Sequence, residues 1–403
     1  MISEEVEVRG HLIDSKMLSR ILDTILYMGG DFSIEKLEVG KTHRDKSYAR
    51  ILVLASGEKL AGVVSAIRKM GASPLRSESV RFGRAPRGGV LPDGFYSTTN
   101  LETWVNLGDW VKVGDQRMDA AIIVEGRRAR CRKMCDVRKG EKILIGDAGV
   151  RVVPLEQEES ERARNGDVFS FMVSGVSSER DTSLAVRQIA GELKWLKKKR
   201  GKVLVVVGPA VVHTGGERAL ASIIRKGYVN GVLSGNATAV HDLEKAMFGT
   251  SLGVCASTGK LMSDGSSRHI RAINEIKKHG SIKRAVEARA IRKGIFYECV
   301  KNKVPFVLAG SIRDDGPLPE VITDVMKAQK EYARLLKDAE LVLMLSSTLH
   351  SVAVGNMLPA RVRTICVDIN PATVTKLIDR GSAQARGIVT DVGLFLRELN
   401  RVL

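Results

Sequence analysis

The chain has 403 residues, 44% hydrophobic, 27% charged and 4% aromatic, with 39 Gly and 10 Pro; this is too long for a minimal binding module and too apolar for a disordered chain. Lys and Arg number 64 against 46 Asp and Glu, a net charge of +18 that favours anionic partners without choosing among them. No apolar run approaches the ~18 to 20 residues that span a bilayer, and the start, Met1-Ile2-Ser3-Glu4-Glu5, is acidic where a signal peptide is basic and then apolar. A cytoplasmic protein without a membrane segment is therefore expected.

Five cysteines (Cys131, Cys135, Cys255, Cys299 and Cys366) are an odd number spread over a long chain, which speaks for reduced thiols rather than a disulfide framework. Cys131 and Cys135 stand four apart, but no second ligand pair follows at comparable spacing, so no metal is expected. The densest basic runs, Arg127 to Lys133 and Lys194 to Lys202, read as solvated faces, and nucleic acid is not the expected partner.

In chain order, residues 4–13 alternate as a strand, and 15–28 place Met17, Leu18, Ile21, Leu22, Ile25 and Leu26 at helical spacing before Gly29-Gly30. Strand patterns follow at 32–39 and 48–55, then a helical stretch at 58–70 with Leu60, Val63, Val64 and Ile67 on one face. The order β-α-β-β-α-β fits a ferredoxin-like or ACT-like α+β domain over residues 1–100. Residues 101–177 carry short strand patterns and turns at Gly108-Asp109, Gly114-Asp115 and Lys139-Gly140, with a charged stretch at 155–165. They predict a small β-rich domain. A charged tract at 178–202 then leads, by a helix, into a third region that runs to residue 403.

That region holds six short apolar runs: VLVVVGPA from 203, YVNGVLSGN from 228, VPFVLAGS from 304, LVLMLSS from 341, RTICVDIN from 363 and GIVTDV from 387. Continuous rather than alternating apolar runs are what strands buried on both faces look like, so an α/β, doubly wound, mostly parallel Rossmann-like sheet is predicted. In such sheets ligands bind at the carboxyl ends of the strands.

Those ends are polar and glycine-bearing. Gly208-Pro209-Ala210 with Thr214-Gly215-Gly216 lets a ligand near the backbone and presents helix N–H groups to a phosphate, although the spacing is not G-x-G-x-x-G. Ser234 to Ala237 and Gly310 to Gly316 supply two further loops. Asp368 and Asp391 each end a strand where a carboxylate accepts ribose hydroxyl protons, and each is as readily a helix cap. His350 and Asn356 follow the run from 341; the first can move a proton near neutral pH and the second can orient a substrate. His213, His241 and His269 also lie near strand ends, without metal-ligand spacing.

The segments VVGPAVVHTGG, LSGNATAVHDLE, VPFVLAGSIRDDGPLPEVITDV, LHSVAVGNMLP and CVDINPATVTKLIDRGSAQARGIVTDVG resemble the archaeal ornithine cyclodeaminase family with an N-terminal LOR/SDH domain. The likeness also takes in VEVRGHLIDS, FYSTTN and CRKMCDVRKGEK, and extends to the C-terminal half of cyanobacterial bifunctional arginine dihydrolase/ornithine cyclodeaminases. It implies a LOR/SDH domain over 1–100 and an NAD-binding domain over 178–403 similar to that of deoxyhypusine synthase. It also implies conversion of L-ornithine to L-proline and ammonia by transient hydride transfer to bound NAD. By the same likeness Asp314, Asp315, Ser347, Thr348, Leu349, His350 and Asp368 line the cofactor, joined by Gly208, Asn236, Ala237, Asp391 and Val392. For catalysis His350 is expected for proton transfer, Asp315 or Asp314 for a substrate ammonium, and Asn356 for orientation. A homo-oligomer is expected. One departure stands out: where the family carries Gly-Gly-His and a second His, this chain reads Asp264-Gly265-Ser266-Ser267-Arg268-His269. Two rival readings stay open at this stage, an NAD-dependent amino-acid or opine dehydrogenase and a regulatory protein that senses an amino acid.

Overall fold

Alternation along the first strand buries Val6 and Val8 and leaves Glu5 exposed, and the strand over Ser47–Ala55 follows the same period. This computed structural model describes residues 2–403 apart from 11, 13–16, 42–44, 75–78, 154–181, 252–253, 256–264, 315 and 381–384. Chain contacts divide it into two compact units, Met1–Phe169 and Ser170–Leu403. The charged stretch at 155–165 and the start of the tract at 178 lie outside the described residues.

The first unit opens with β1 (Ile2–Gly10), α1 (Met17–Tyr27), β2 (Asp31–Glu38), β3 (Ser47–Ala55), α2 (Gly57–Arg68) and the short β4 (Ser73–Pro74). The strands form one sheet in the order β2-β3-β1-β4, with all pairs antiparallel. Ile21 and Ile25 of α1, and Val63 and Ile67 of α2, pack on Val6, Val8, Ile51 and Val53 of the sheet.

A second sheet gathers β5 (Arg81–Arg84), β6 (Glu102–Asn106), β7 (Trp110–Gly114), β8 (Ala121–Glu125), β9 (Arg128–Arg132), β10 (Lys142–Ile145) and β11 (Val150–Val153). Its order is β11-β6-β7-β9-β8-β10-β5. β5 pairs antiparallel with β10, and Phe95 and Ser97 bridge to Ile145 and Ala121, so the change from one sheet to the next falls near residue 80. Local alternation identifies a strand but does not say which sheet receives it. Buried Arg68 ties α2 to both ends of the unit, donating to Glu4 at 3.0 Å and Asp147 at 3.1 Å.

The second unit comprises α3 (Thr182–Lys198), β12 (Val203–Val207), α4 (Ala210–His213), α5 (Glu217–Arg225), β13 (Gly231–Gly235), α6 (Asn236–Phe248), β14 (Thr250–Ser251) and β15 (Val254–Cys255). It continues with α7 (Gly265–His279), α8 (Ile282–Glu287), α9 (Ile295–Lys301), β16 (Phe306–Ala309), β17 (Val321–Ile322) and α10 (Val325–Leu336). It closes with β18 (Leu341–Leu345), α11 (Thr348–Met357), β19 (Arg363–Asp368), α12 (Pro371–Arg380), β20 (Ala385–Val389) and α13 (Val392–Val402). Seven strands make one parallel sheet in the order β17-β16-β13-β12-β18-β19-β20. All six apolar runs are strands of it; the two-residue edge strand β17 is too short to show a pattern.

Burial on both faces follows from the period of two. Val203, Val205, Val207, Leu343 and Leu345 pack with α3, α5, α6, α9 and α13, whereas Leu204, Val206, Val342 and Met344 pack with α10, α11 and α12. Each such fully buried side chain contributes roughly 1.5–3 kcal/mol, so neither helical layer is dispensable. The strand order reverses direction between β12 and β18, and a crevice outside the carboxyl ends is expected at that point.

Candidate active site

At the reversal the loops after β12 and β18 touch. Gly208 donates its N–H to the Leu345 carbonyl at 2.9 Å, and a Cβ on Gly208 would stand 1.8 Å from the Ser346 carbonyl oxygen. The close approach that the glycine allows is thus made by the chain's own backbone. Ser346 completes it in the left-handed region at φ 47°, an uncommon conformation for a residue with a side chain.

His350, in the first turn of α11, points across this junction toward β13. Its Nδ1 meets the Ser347 hydroxyl at 3.2 Å, and a Cβ on Gly235 would lie 2.8 Å from its Cε1 and 3.1 Å from its Nε2. The imidazole therefore rests directly on the bare backbone that ends β13. Tyr332 of α10 flanks it, with ring centroids 6.2 Å apart, and the Tyr332 hydroxyl donates to the Ser234 carbonyl at 2.6 Å. Burial pushes the His350 pKa below its ordinary value, while the negative charge of Asp314 partly opposes this. Asp314 is itself held in place by accepting the Ser311 N–H at 2.8 Å.

The remaining predicted residues divide by environment. Ser234 is fully buried and donates to the Val207 carbonyl at 2.6 Å; Asn236 is buried and accepts the Leu318 N–H at 3.1 Å; Ala237 beside it is exposed. These two polar side chains brace the strand ends from within. Thr348 and Leu349 are exposed on the outer side of the α11 start. Asp368 is half-buried at the end of β19 and accepts the Asn370 N–H at 2.9 Å. Asp391 caps α13 by accepting the Leu394 N–H at 2.7 Å, and Val392 is a core residue. Asp315 lies outside the described residues, as does Asp264 of the departing segment.

The Thr214-Gly215-Gly216 turn is not open to a phosphate, because a Cβ on Gly216 would be 3.1 Å from the Gly393 Cα, and one on Gly393 would be 2.6 Å from the Thr214 carbonyl. The α5 start is packed against the α13 start, a meeting of segments 180 residues apart in sequence that no local pattern reveals. Asn356 lies six residues beyond His350 on α11, which places it about 9 Å along the axis and about 120° around it. The structure does not bring that amide together with the imidazole.

Apart from Leu349, which the resemblance already implied, several features escape the sequence reading. Ile312, Leu349 and Ile369 follow β16, β18 and β19 and are 107%, 76% and 70% exposed, so three aliphatic side chains stand uncovered along one sheet edge. Ser351, one turn beyond Ser347, is fully buried with its hydroxyl oxygen unpartnered. Tyr332 had a usable signal, since Ala328, Tyr332 and Leu336 recur at four-residue spacing as the buried stripe of α10. His213 and His241 do meet, with ring centroids 4.8 Å apart and His213 Nδ1 2.8 Å from the Ser251 hydroxyl, but among the described residues no group of three or more His, Cys, Asp or Glu could hold a metal ion. Nor is any helix among the described residues long and apolar enough to cross a membrane.

Residues 187–399 match the family model described as arginine dihydrolase ArgZ-like, C-terminal, Rossmann fold. Residues 102–186 match its first region, and 3–101 match the LOR/SDH bifunctional enzyme conserved region. The chain is 54% identical to the ornithine cyclodeaminase of Methanopyrus kandleri over 99% of its own length and 97% of that protein's. It belongs to the ornithine cyclodeaminase family. Among solved structures, apo ArgZ, an arginine dihydrolase from the ornithine–ammonia cycle in cyanobacteria, is similar with a TM-score of 0.85 and 39% identity. The match covers all of this chain and 58% of ArgZ. The ternary complex of AgrE with ornithine and NAD+ is similar with a TM-score of 0.55 and 44% identity, again over the whole of this chain and 57% of AgrE. The family's Rossmann-fold region coincides with the second unit, and its likeness to ArgZ and AgrE spans little more than half of those longer proteins.

Proposed function

We propose that this protein is an NAD-dependent ornithine cyclodeaminase that converts L-ornithine to L-proline and ammonia at the crevice between β12 and β18. The observation that carries the reading is His350 seated on Gly235 beside the β12–β18 junction, in a chain whose full-length relatives are named for that reaction.

The residues present suit a dinucleotide. A half-buried carboxylate at Asp368 and the uncovered side chains of Ile312, Leu349 and Ile369 offer hydrogen-bonding and apolar surface along one edge. NAD, when bound, supplies a temporary hydride acceptor that makes an amine-bearing carbon electrophilic. Asp368 would hold its ribose hydroxyls, and the α11 start from Ser347 to His350 would face it. Asp391 and Asn236 act in this reading by fixing α13 and the β16–β17 loop around the site, since each already spends a side-chain oxygen on a backbone N–H.

His350 performs the proton transfers. With Nδ1–H donated to the Ser347 hydroxyl and burial favouring the neutral imidazole, Nε2 would be the nitrogen that takes a proton from the substrate α-ammonium. Asp314 and Asp315 supply negative charge for the second ammonium of ornithine. The δ-amine reacts within the same molecule, which gains from proximity and needs no further substrate. One ammonia leaves for each proline formed, so the overall conversion needs no net oxidant or reductant.

The N-terminal β2-β3-β1-β4 sheet with its two helices fits a ferredoxin-like domain, and the second sheet a separate small β-rich domain; neither carries the chemistry in this reading. The test is incubation of the purified protein with L-ornithine and catalytic NAD, following ammonia, proline and absorbance at 340 nm. Equal ammonia and proline without accumulating NADH is expected. Stoichiometric NADH would make the protein a dehydrogenase instead.

A further inference from the structure

We propose a second binding site on this protein, a cationic hollow between α5 and α9 that takes the phosphate group of a small phosphorylated metabolite. It shares no residue with the crevice, and it does not rest on the function assigned there.

The hollow has a volume of about 380 Å³, within the range of ~300–1,000 Å³ usual for small-molecule sites. One wall is a stripe of α5: Arg218, Ala221 and Arg225 recur at helical spacing, and the small Ala221 leaves room between two guanidinium groups. The other wall is Arg292 and Lys293, which precede Gly294, a residue at φ 113° that turns the chain into α9.

Charge is not balanced within it. Glu298 is the carboxylate of the lining, and it is already committed: one of its oxygens accepts from Arg225 Nη2 at 2.6 Å and Nε at 3.0 Å, and the other accepts from Asn302 at 2.9 Å. Glu217 is 3.9 Å from Arg218 but forms its closer pair with Lys245 at 3.0 Å. Arg292 is oriented by donating from Nε to the Arg289 carbonyl at 3.2 Å. With Arg225 answered by Glu298, the lining's excess positive charge is that of Arg218, Arg292 and Lys293, and their mutual repulsion is relieved when an anion enters.

The guanidinium groups suit a phosphate. Arginine presents planar paired donors that match phosphate oxygens; Arg225 spends Nε and Nη2 on the buried Glu298, so the guanidinium donors offered to an anion are chiefly those of Arg218 and Arg292. The side chains carry the site. The first amides of α9 do not, because Ile295 and Phe296 donate to Asp242 at 3.0 Å each.

The probe is inorganic pyrophosphate, titrated calorimetrically into the full chain with NAD at saturation so that the crevice is filled. One site with a Kd below about 1 mM is expected. Replacing both Arg292→Ala and Lys293→Ala, which are exposed, should weaken it by about 10-fold or more. Arg334→Ala with Arg401→Ala removes the same charge from exposed positions elsewhere and should leave it within about twofold. Arg218→Ala alone gives a second variant of the hollow with the same expected direction. Absence of heat up to 10 mM, equal weakening by the control pair, or citrate binding as tightly as pyrophosphate would each overturn the assignment. So would retention of full affinity in the hollow variants.

Discussion

Gly235→Ala probes the seat of His350 directly. A Cβ there would approach the imidazole Cε1 to 2.8 Å where ordinary contact begins at 3.4 Å, so the ring must withdraw by about 0.6 Å. Withdrawal is opposed on two sides, by the 3.2 Å contact with Ser347 and by the Tyr332 ring, whose own hydroxyl is fixed to the Ser234 carbonyl. Overpacking of this kind costs about 1–3 kcal/mol, which lowers the melting temperature by a few degrees and leaves the chain folded. Turnover should suffer more, because a displacement near 1 Å of a reacting group costs on the order of 100-fold; about 10-fold in kcat/KM for ornithine is expected at the smaller shift. The assay compares proline formation and thermal midpoint in wild type, Gly235→Ala and His350→Ala. The double variant should show no further loss beyond His350→Ala, since both changes act on one group. Wild-type kcat/KM in Gly235→Ala, at a lowered midpoint, would refute the claim that this contact positions the imidazole for catalysis.

Asp314→Asn removes the charge that partly offsets the burial of His350, so the imidazole pKa should fall further and its neutral form persist to lower pH. The acid limb of the pH–rate profile should accordingly move to lower pH; a limb that stays put or moves up separates Asp314 from His350. Gly208→Ala drives a Cβ to 1.8 Å from a backbone oxygen that no rotamer change can clear, and it should unfold the β12–β18 junction, read as loss of NAD binding and a melting point lowered by more than 10 °C, a cost of at least ~3 kcal/mol. Asp242 is fully buried, and burial pushes its carboxyl up to about 7 against the two amide bonds that favour ionisation. Its proton is therefore held more tightly in the folded chain than in the unfolded one. The associated stability is full below about pH 4 and declines, by up to ~1.4 kcal/mol per pH unit, as pH rises toward 7. Urea titrations at pH 5, 6 and 7 should show that decline in the wild type and a flatter response in Asp242→Asn.

Much of the second unit was legible from composition alone. Runs such as VLVVV and LVLML have no polar member to turn toward water, and a strand of that kind fits only between two helical layers, so the parallel sheet and its carboxyl-end loops followed. The alternation of Val6 and Val8 with polar neighbours likewise placed β1 on a sheet with one covered face. The candidate residues at strand ends were legible as chemistry, because His350, Asp314 and Asp368 are polar groups where the backbone must turn.

What each of them does there depended on contacts between distant segments. Gly208 reads in sequence as room for a ligand, yet the room is taken by Ser346; Gly216 reads as an open helix start, yet Gly393 closes it. The same period of two that fixes which side of a strand is buried carries no information about which strand lies beside it, and so β5 could not be assigned to the second sheet before its pairing with β10 was seen. Local sequence determines backbone conformation and the side a residue faces, because both depend on near neighbours. Only the tertiary structure decides which surfaces meet, because the meeting of His350 with Gly235 and Tyr332 is set by the packing of three elements whose sequences carry no mark of one another.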